Sequence, residues 1–328
     1  MKKLLLLFFV ITACSATAQY DWDYGIKIGA ANYLGDIGGK MLTRRDFIVD
    51  MHLKATKTAW GIYGRHKFSK RLSVAGNLDY IALKDFDRWT TNPPRRARNM
   101  NFRNRMFELG VRAELTIWYD NDVGGRGYYN PDFKMYLFGG LAGYYTNPQA
   151  QVFTNGEMVS DTWYNLRDWR TEGQEKSYSK IGLAIPAGVG MYFTFDKTWR
   201  FGFEFSWRTT FNDYIDDVST VYTNPNPKNP EDYPLALQFV NQSTYQGLID
   251  QINIDSPESE FYPLHIQDFT IDDDGLDVVK RGDPTHNDSY LTMQLTAGKV
   301  IRGRSKFYRA KYSWLKNRAT VRRSRAKF

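Results

Sequence analysis

Four histidines, His52, His66, His265 and His286, are the side chains of this 328-residue chain best suited to general-base or metal chemistry near neutral pH. Only His286 has companions close by. Asp283-Pro284-Thr285-His286-Asn287-Asp288-Ser289 supplies carboxylates and a hydroxyl, and residues two apart on a strand share a face, so a His/Asp pair is geometrically possible there. A hydrolytic triad is defined by three-dimensional geometry, however, and closeness in sequence is weak support for one. No histidine pair has metal-ligand spacing and no glycine-rich phosphate loop is present. Catalytic residues, resident metals and cofactors are therefore not expected. Asp272-Asp273-Asp274-Gly275 resembles part of a calcium loop, with Asp268 and Asp277 nearby, but Thr270 and Arg281 fall where the first and twelfth ligands belong. A solvated acidic loop is the simpler expectation.

The charged residues carry another kind of chemistry, set by alternation. In Trp199-Arg200-Phe201-Gly202-Phe203-Glu204-Phe205-Ser206-Trp207-Arg208, every odd position is a large aromatic and every even one is small, polar or charged. A strand points successive side chains to opposite faces, so the segment presents an aromatic wall and a charged wall. A soluble sandwich has to bury the aromatic wall against another sheet. A membrane barrel turns it to lipid and keeps Arg200, Glu204 and Arg208 in its lumen. The same parity puts Lys27, Asp79, Glu108, Arg112 and Glu114 inside. Eight strands leave room only for side chains, and opposite charges facing one another there neutralise and hydrogen-bond. The expected lumen is an ion-pair plug built on Arg112, Glu114, Arg200, Glu204 and Arg208; an open pore is the lesser reading.

The elements that must position these residues read as eight strands, over 24–32, 59–68, 72–85, 106–119, 134–147, 180–195, 199–211 and 290–301. Their lipid-facing sets follow the two-residue period, as in Leu109, Val111, Ala113, Leu115 and Ile117, or Ile181, Leu183, Ile185, Val189, Met191 and Phe193. The opposite faces carry Gly110, Arg112, Glu114 and Thr116, or Gly182, Ala184, Gly188 and Gly190. Connections alternate in length: 69–71 and 196–198 are tight, 120–133 is moderate, and 33–58, 86–105, 148–179 and 212–289 are long. Short connections face the periplasm and long ones face outward in bacterial barrels. Periodicity and loop length are independent signals, and they agree on an all-β, transmembrane, eight-stranded antiparallel barrel. No stretch has the roughly 18 consecutive apolar residues of a transmembrane helix, and an aromatic content of 16% with 42% hydrophobic residues suits a wall in which only alternate residues are apolar.

Residues 1–19 read as an export signal, with Lys2-Lys3, an apolar run from Leu4 to Ile11, and Ala16-Thr17-Ala18 before Gln19. Ile11-Thr12-Ala13-Cys14 also resembles a lipoprotein cleavage box, in which Cys14 would carry the lipid. Cys14 is the sole cysteine, so disulfides and cysteine metal sites are excluded. The expected division is a signal peptide over 1–19, the barrel over 20–301 with its outer loop 212–289, and a basic tail over 302–328. The expected location is the bacterial outer membrane, with that tail in the periplasm.

Charge is segregated along the chain. Residues 212–288 hold 3 basic and 16 acidic residues, whereas 299–328 hold 12 basic residues and no acidic one. The formal net charge of +8 thus hides an acidic outer loop behind one basic tail. In that tail Phe307, Tyr308, Ala310, Tyr312, Trp314 and Leu315 lie among Lys and Arg at spacings a helix could gather onto one side. Three readings are open: a docking peptide for an acidic periplasmic partner, an interfacial helix on anionic lipid, and a solvated extension. The residues chosen for a contact are Arg302, Arg304, Phe307, Tyr308, Arg309, Lys311, Tyr312, Trp314 and Lys316. Basic residues interleaved with aromatics elsewhere suggest nucleic acid, but an exported chain makes that partner unsuitable. Within the acidic loop, 224–234 is a proline/asparagine spacer and 235–252 could be helical apart from Gly247.

Three stretches resemble a known family. Ala31-Asn32-Tyr33-Leu34-Gly35-Asp36 ends the first strand, Asp213-Tyr214-Ile215-Asp216-Asp217-Val218-Ser219 leaves the seventh, and Arg281-Gly282-Asp283 with Asn287-Asp288-Ser289-Tyr290 leads into the eighth. Together, across 24–298, they resemble the PorG-type outer-membrane barrel of the Bacteroidota type IX secretion (gliding motility) machinery. The resemblance implies an eight-stranded barrel that contacts the periplasmic ring of the PorK lipoprotein and PorN, and implies no catalytic residues. Physically, Gly35 and Gly282 suit turns with unusual backbone angles. Asp36, Asp213, Asp216 and Asp217 can cap loop amides or pair with Arg44, Arg45 or Arg95 across the rim. The expected function is a non-catalytic secretion component whose partners are outer-membrane lipid and periplasmic lipoprotein or ring subunits. The alternative is an OmpA-like structural or adhesive barrel acting through its acidic outer loops.

Overall fold

Strict alternation of apolar and polar residues makes each segment a two-faced strand, and eight such strands close on themselves. The structure, a computed structural model, describes residues 22–39, 51–90, 93–120, 132–154, 157–158, 160–196, 198–240, 242 and 281–301. The barrel strands are β1 (Trp22–Leu34), β2 (Lys57–Lys67), β3 (Leu72–Phe86), β4 (Asn101–Asp120), β5 (Asp132–Tyr145), β6 (Ile181–Phe195), β7 (Trp199–Thr210) and β8 (Ser289–Ile301). Each pairs antiparallel with its sequence neighbours, and β8 returns to β1 in unbroken register from Trp22 opposite Ile301 to Leu34 opposite Ser289. Closure leaves no barrel strand with an unpaired edge, which is what a strand in hydrocarbon requires. All eight expected strands are present, with ends shifted by a few residues. The expected transmembrane eight-stranded barrel is thus the observed fold.

The two faces separate as the alternation dictates. Leu109, Ile181 and Leu295 point outward and keep 66%, 70% and 68% of their surface, an exposure that only lipid makes favourable. Aromatic side chains border this apolar belt, as in barrels at both membrane interfaces. Near the short turns lie exposed Trp22, Trp118, Tyr119, Phe195 and Trp199. Toward the long loops Trp60, Tyr80 and Phe107 form a cross-strand row with ring centroids 5.2 and 5.3 Å apart. β4 has 20 residues, about twice what a tilted strand needs to cross the bilayer. Its outward-facing Arg103 and Arg105, beyond Phe107, mark the part that stands clear of the hydrocarbon.

Inside, the character of the lumen changes along the axis. Charged side chains fill it from the short-turn end upward, whereas Ile81, Leu83, Phe102 and Met106 form an apolar stopper near the long loops, packed with Tyr33, Ile37, Ile215 and Val218. The loops add a second apolar cluster of Ala150, Val152, Leu166, Trp169, Ala236 and Phe239. Of two short helices, α2 (Tyr233–Val240) supplies Ala236 and Phe239 to this cluster, and α1 (Pro93–Arg98) bonds the rim through Arg95 and Arg98. The helix expected over 235–252 therefore starts two residues earlier; its expected remainder beyond Val240 lies outside the described residues except Gln242, which is not helical.

Candidate functional site in the lumen and at the rim

Inward parity on five of the strands delivers ten ionic side chains to the lumen, where they pair in two adjoining groups. Lys27 Nζ lies 2.7 Å from Asp79 Oδ2, whose same oxygen accepts from Asn77 Nδ2 at 2.6 Å. Arg208 Nε donates to Glu108 Oε2 at 2.8 Å, and the Tyr290 hydroxyl donates to the same oxygen at 2.6 Å. Arg112 grips Glu204 through both terminal nitrogens and reaches Glu114 at 3.2 Å. Arg65 donates to Glu114 at 2.5 Å and to Asp23 at 3.1 Å, and Arg200 closes the chain on Asp23. The five cations, Lys27, Arg65, Arg112, Arg200 and Arg208, meet five carboxylates, Asp23, Asp79, Glu108, Glu114 and Glu204, all at most 4% exposed. Buried charge is tolerable only when it is paired and its remaining donors and acceptors are used, and the forked arginine geometry suits that demand.

All five plug residues singled out in the sequence, Arg112, Glu114, Arg200, Glu204 and Arg208, are in these groups, as are Lys27, Asp79 and Glu108. Asp23 and Arg65 were missed. Asp23 keeps the parity of Lys27 on β1, so alternation alone finds it, whereas the inward side of β2 that holds Arg65 is fixed only by its neighbours.

Glycines on β6 make room for the aromatic members of the plug. Gly182, Gly188 and Gly190 stand directly opposite Tyr144, Phe138 and Tyr136 on β5, and a Cβ at any of the three would strike the facing ring. Tyr136, laid over Gly190, donates its hydroxyl to Glu204 at 2.5 Å.

At the long-loop end the acids of the motif segments are spent on the chain itself. Asp216 accepts from the Ile37 amide at 3.0 Å and from the Val218 amide at 2.9 Å. Asp288 accepts from the Tyr33 hydroxyl and from the Ile215 amide, and Asp36 accepts from the Asp283 amide at 2.8 Å. Asp217 accepts from Thr171 Oγ1 at 2.6 Å and Tyr178 Oη at 2.7 Å. The cationic partners are arginines the sequence reading did not choose. Arg98 forks onto Asp87 at 2.7 and 3.0 Å while also donating to the carbonyls of Asp36 and Arg281. Arg281 holds Glu172 at 2.8 Å and the Asp217 carbonyl at 2.6 Å. Arg95 reaches the Gly38 carbonyl at 2.6 Å, whereas Arg44 and Arg45 lie outside the described residues.

Burial, reinforced by neighbouring Asp36, holds the Asp216 carboxyl well above the ordinary range, and burial with Asp216 does the same to Asp288. Burial lifts Asp217 to about 6 against the opposing charge of Arg281.

The reason for Gly35 and Gly282 differs from the expected unusual backbone angle. The glycines at positive φ among the described residues are Gly38, Gly39 and Gly173. Gly35 and Gly282 are instead cramped: a Cβ on Gly35 would meet the Tyr33 hydroxyl and Asp288, and one on Gly282 would sit 2.6 Å from Asp36 Oδ2.

The His286 constellation is an exposed turn. Its Nδ1 lies 3.0 Å from Asp283 Oδ2 and 2.8 Å from Thr285 Oγ1, which itself bonds Asp283. Asp288 is turned away beneath the rim, fully buried. Among the described residues no group of three His, Cys, Asp or Glu could hold a metal. The nine tail residues chosen as a contact, Arg302 through Lys316, and the Asp272-Asp273-Asp274-Gly275 segment lie outside the described residues.

Residues 1–244 match the family model described as "Domain of unknown function (DUF6089)". No curated protein sequence matches the chain. Three solved barrels are similar in fold. The N-terminal β-barrel domain of Pseudomonas aeruginosa OprF aligns with TM-score 0.29 at 7% identity, covering 85% of this chain and 97% of that one. The attachment invasion locus protein Ail of Yersinia pestis, in complex with the heparin analogue sucrose octasulfate, gives 0.31 at 8%, covering 85% and 98%. Neisserial surface protein A gives 0.33 at 10%, covering 86% and 97%. At such scores the barrel assignment rests on the strand pairing described above.

Proposed function

We propose that the chain, which belongs to the DUF6089 family, is a non-catalytic outer-membrane component of a type IX protein secretion complex that anchors a periplasmic PorK/PorN-like ring. The observation that carries this reading is where charge leaves the barrel. β8 ends at Ile301 opposite Trp22, beside the turn in which Thr198 accepts from the Val300 amide. Short turns face the periplasm in bacterial barrels, so a basic segment over 302–328 departs on that side, where aromatic and arginine side chains suit a protein contact. The motif resemblance supplies the kind of partner. A plug of paired charges supports a fixed anchor over a conduit for cargo. The adhesive reading gains nothing from Asp213, Asp216, Asp217 and Asp288, which are buried within the rim.

The test is co-purification from detergent-solubilised outer membranes, full-length chain against one ending at Ile301. The cut must spare Val300 and Ile301, which pair with Asp23 and Trp22, and heat-shifted gel mobility verifies that both barrels fold. Ring or lipoprotein subunits are expected with the full-length chain alone, and Trp314→Ala is the sharpest point variant. Equal retention by both forms moves the contact to the turns or wall. Absence of any partner from both removes the main support for a secretion role.

A further inference from the structure

The ten-residue plug balances its charges, yet two more cations face inward at its short-turn end. Lys67 follows Tyr63 and Arg65 on the inward face of β2, and Lys134 precedes Tyr136 on the inward face of β5. Tyr192 is the hub of this mouth. Its ring lies 4.8 Å from the Arg200 guanidinium carbon, 5.1 Å from that of Arg65 and 5.6 Å from Lys67 Nζ, and Lys134 is its direct cross-strand neighbour. Asp23 already binds both arginines. Neither lysine makes an ion pair among the described residues; Asp132, on the same face as Lys134, is the remaining acid that acts on it. Arg200 and Lys134 repel Lys67. Like charges confined beneath a low-dielectric wall repel more strongly than in water, and an incoming anion relieves that repulsion.

We propose that this mouth is a docking site for an acidic peptide of a periplasmic partner, whose carboxylates are held by Lys67 and Lys134 over Tyr192. The proposal rests on the orientation used in the anchoring reading and specifies the partner's chemistry. The barrel wall separates both lysines from the lipid headgroups around it, so the anion comes from solution beneath the membrane. β8 ends at Ile301 at this same end, and the 11 basic residues of the sequence that follows, 302–328, would raise the local concentration of an acidic chain there.

The experiment measures fluorescence anisotropy of a labelled hexaglutamate peptide with the full-length protein in detergent, its Lys67→Gln/Lys134→Gln variant, and the chain ending at Ile301. The double variant is expected to bind about tenfold more weakly or worse, equivalent to about 1.4 kcal/mol, while the chain ending at Ile301 keeps a lysine-dependent component. Unchanged affinity in the double variant overturns the proposal. So does displacement of the peptide by inorganic phosphate far below the chloride concentration that displaces it, which would make the mouth a small-anion site. Should the double variant fail to fold, native protein answers the question. The peptide should slow acylation of Lys67 and Lys134, read by mass spectrometry, several-fold more than that of Lys299 on the outer wall; equal rates overturn the proposal. Peptide binding that needs 302–328 and ignores the lysines refutes the mouth and leaves the anchoring reading intact. Lysine-dependent binding without any co-purified ring does the reverse.

Discussion

Asp217 occupies the left-handed backbone region, with φ of 73°, a conformation that Asp tolerates better than most residues, and its carboxyl is fully buried between Thr171, Tyr178 and Arg281. Its folded value of about 6, against an ordinary 3.8, means the folded rim binds the proton more tightly than the unfolded chain. The stabilisation from this proton is therefore full below the ordinary value and is lost as pH rises through about 6; it amounts to about 3 kcal/mol. Asp216 and Asp288 shift in the same direction. Backbone amides over 213–220 should thus exchange more slowly at pH 4.5 than at pH 6.5 after correction for intrinsic rate, and Asp217→Asn should flatten that dependence. A rim that tightens with rising pH would contradict the assignment. At this scale the sequence showed which residues are charged and which parity they keep. It hid Arg65, because both faces of β2 carry apolar residues, with Trp60 and Ile62 on one and Ala59 and Tyr63 on the other, so the inward side is ambiguous until neighbours fix it. It also hid Arg98 and Arg281 as the rim's cations, since their partners Asp87, Glu172 and Asp217 come from different loops.

At the scale of the element, β5 and β6 act as a matched pair, with rings on one strand seated on glycines of the other. Filling such a seat forces the ring into the plug. Gly190→Val should displace Tyr136 from Glu204 and destabilise the barrel by about 3 kcal/mol or more, since overpacking adds to the loss of a charge-assisted hydrogen bond. Loss or lowering of the heat-shift midpoint on gels reads this out, and an unchanged midpoint would refute the seating argument. Strand identity was legible because lipid demands a uniformly apolar outer face, which stamps a two-residue period on every wall segment. The glycine–ring matches were not, because they depend on the register between residues far apart in sequence, from Tyr144 with Gly182 to Tyr136 with Gly190.

For the molecule as a whole, the plug and the apolar stopper above it close the lumen twice over. The intact barrel should give no steady conductance in planar bilayers, and Arg112→Ala/Glu204→Ala, which removes the central paired side chains but leaves the stopper, should stay closed as well. Steady conductance by the native chain would refute a closed lumen, and leak steps in the variant alone would refute the stopper as a second seal. The alternation of short and long connections had already set which ends of the strands gather, and the charge count had already separated an acidic loop from a basic tail. By itself, then, the sequence determined the wall: eight strands, their outward faces, and which charges point inward wherever the two faces differ sharply in polarity. That information is local, because each strand meets lipid on one side whatever its partners are. Only the tertiary structure decided the interior. Pairing among Arg65, Arg112, Arg200 and their carboxylates, the glycine seats, and the surplus of Lys67 and Lys134 at one mouth all arise from contacts between strands brought together by closure and register, which no single segment encodes.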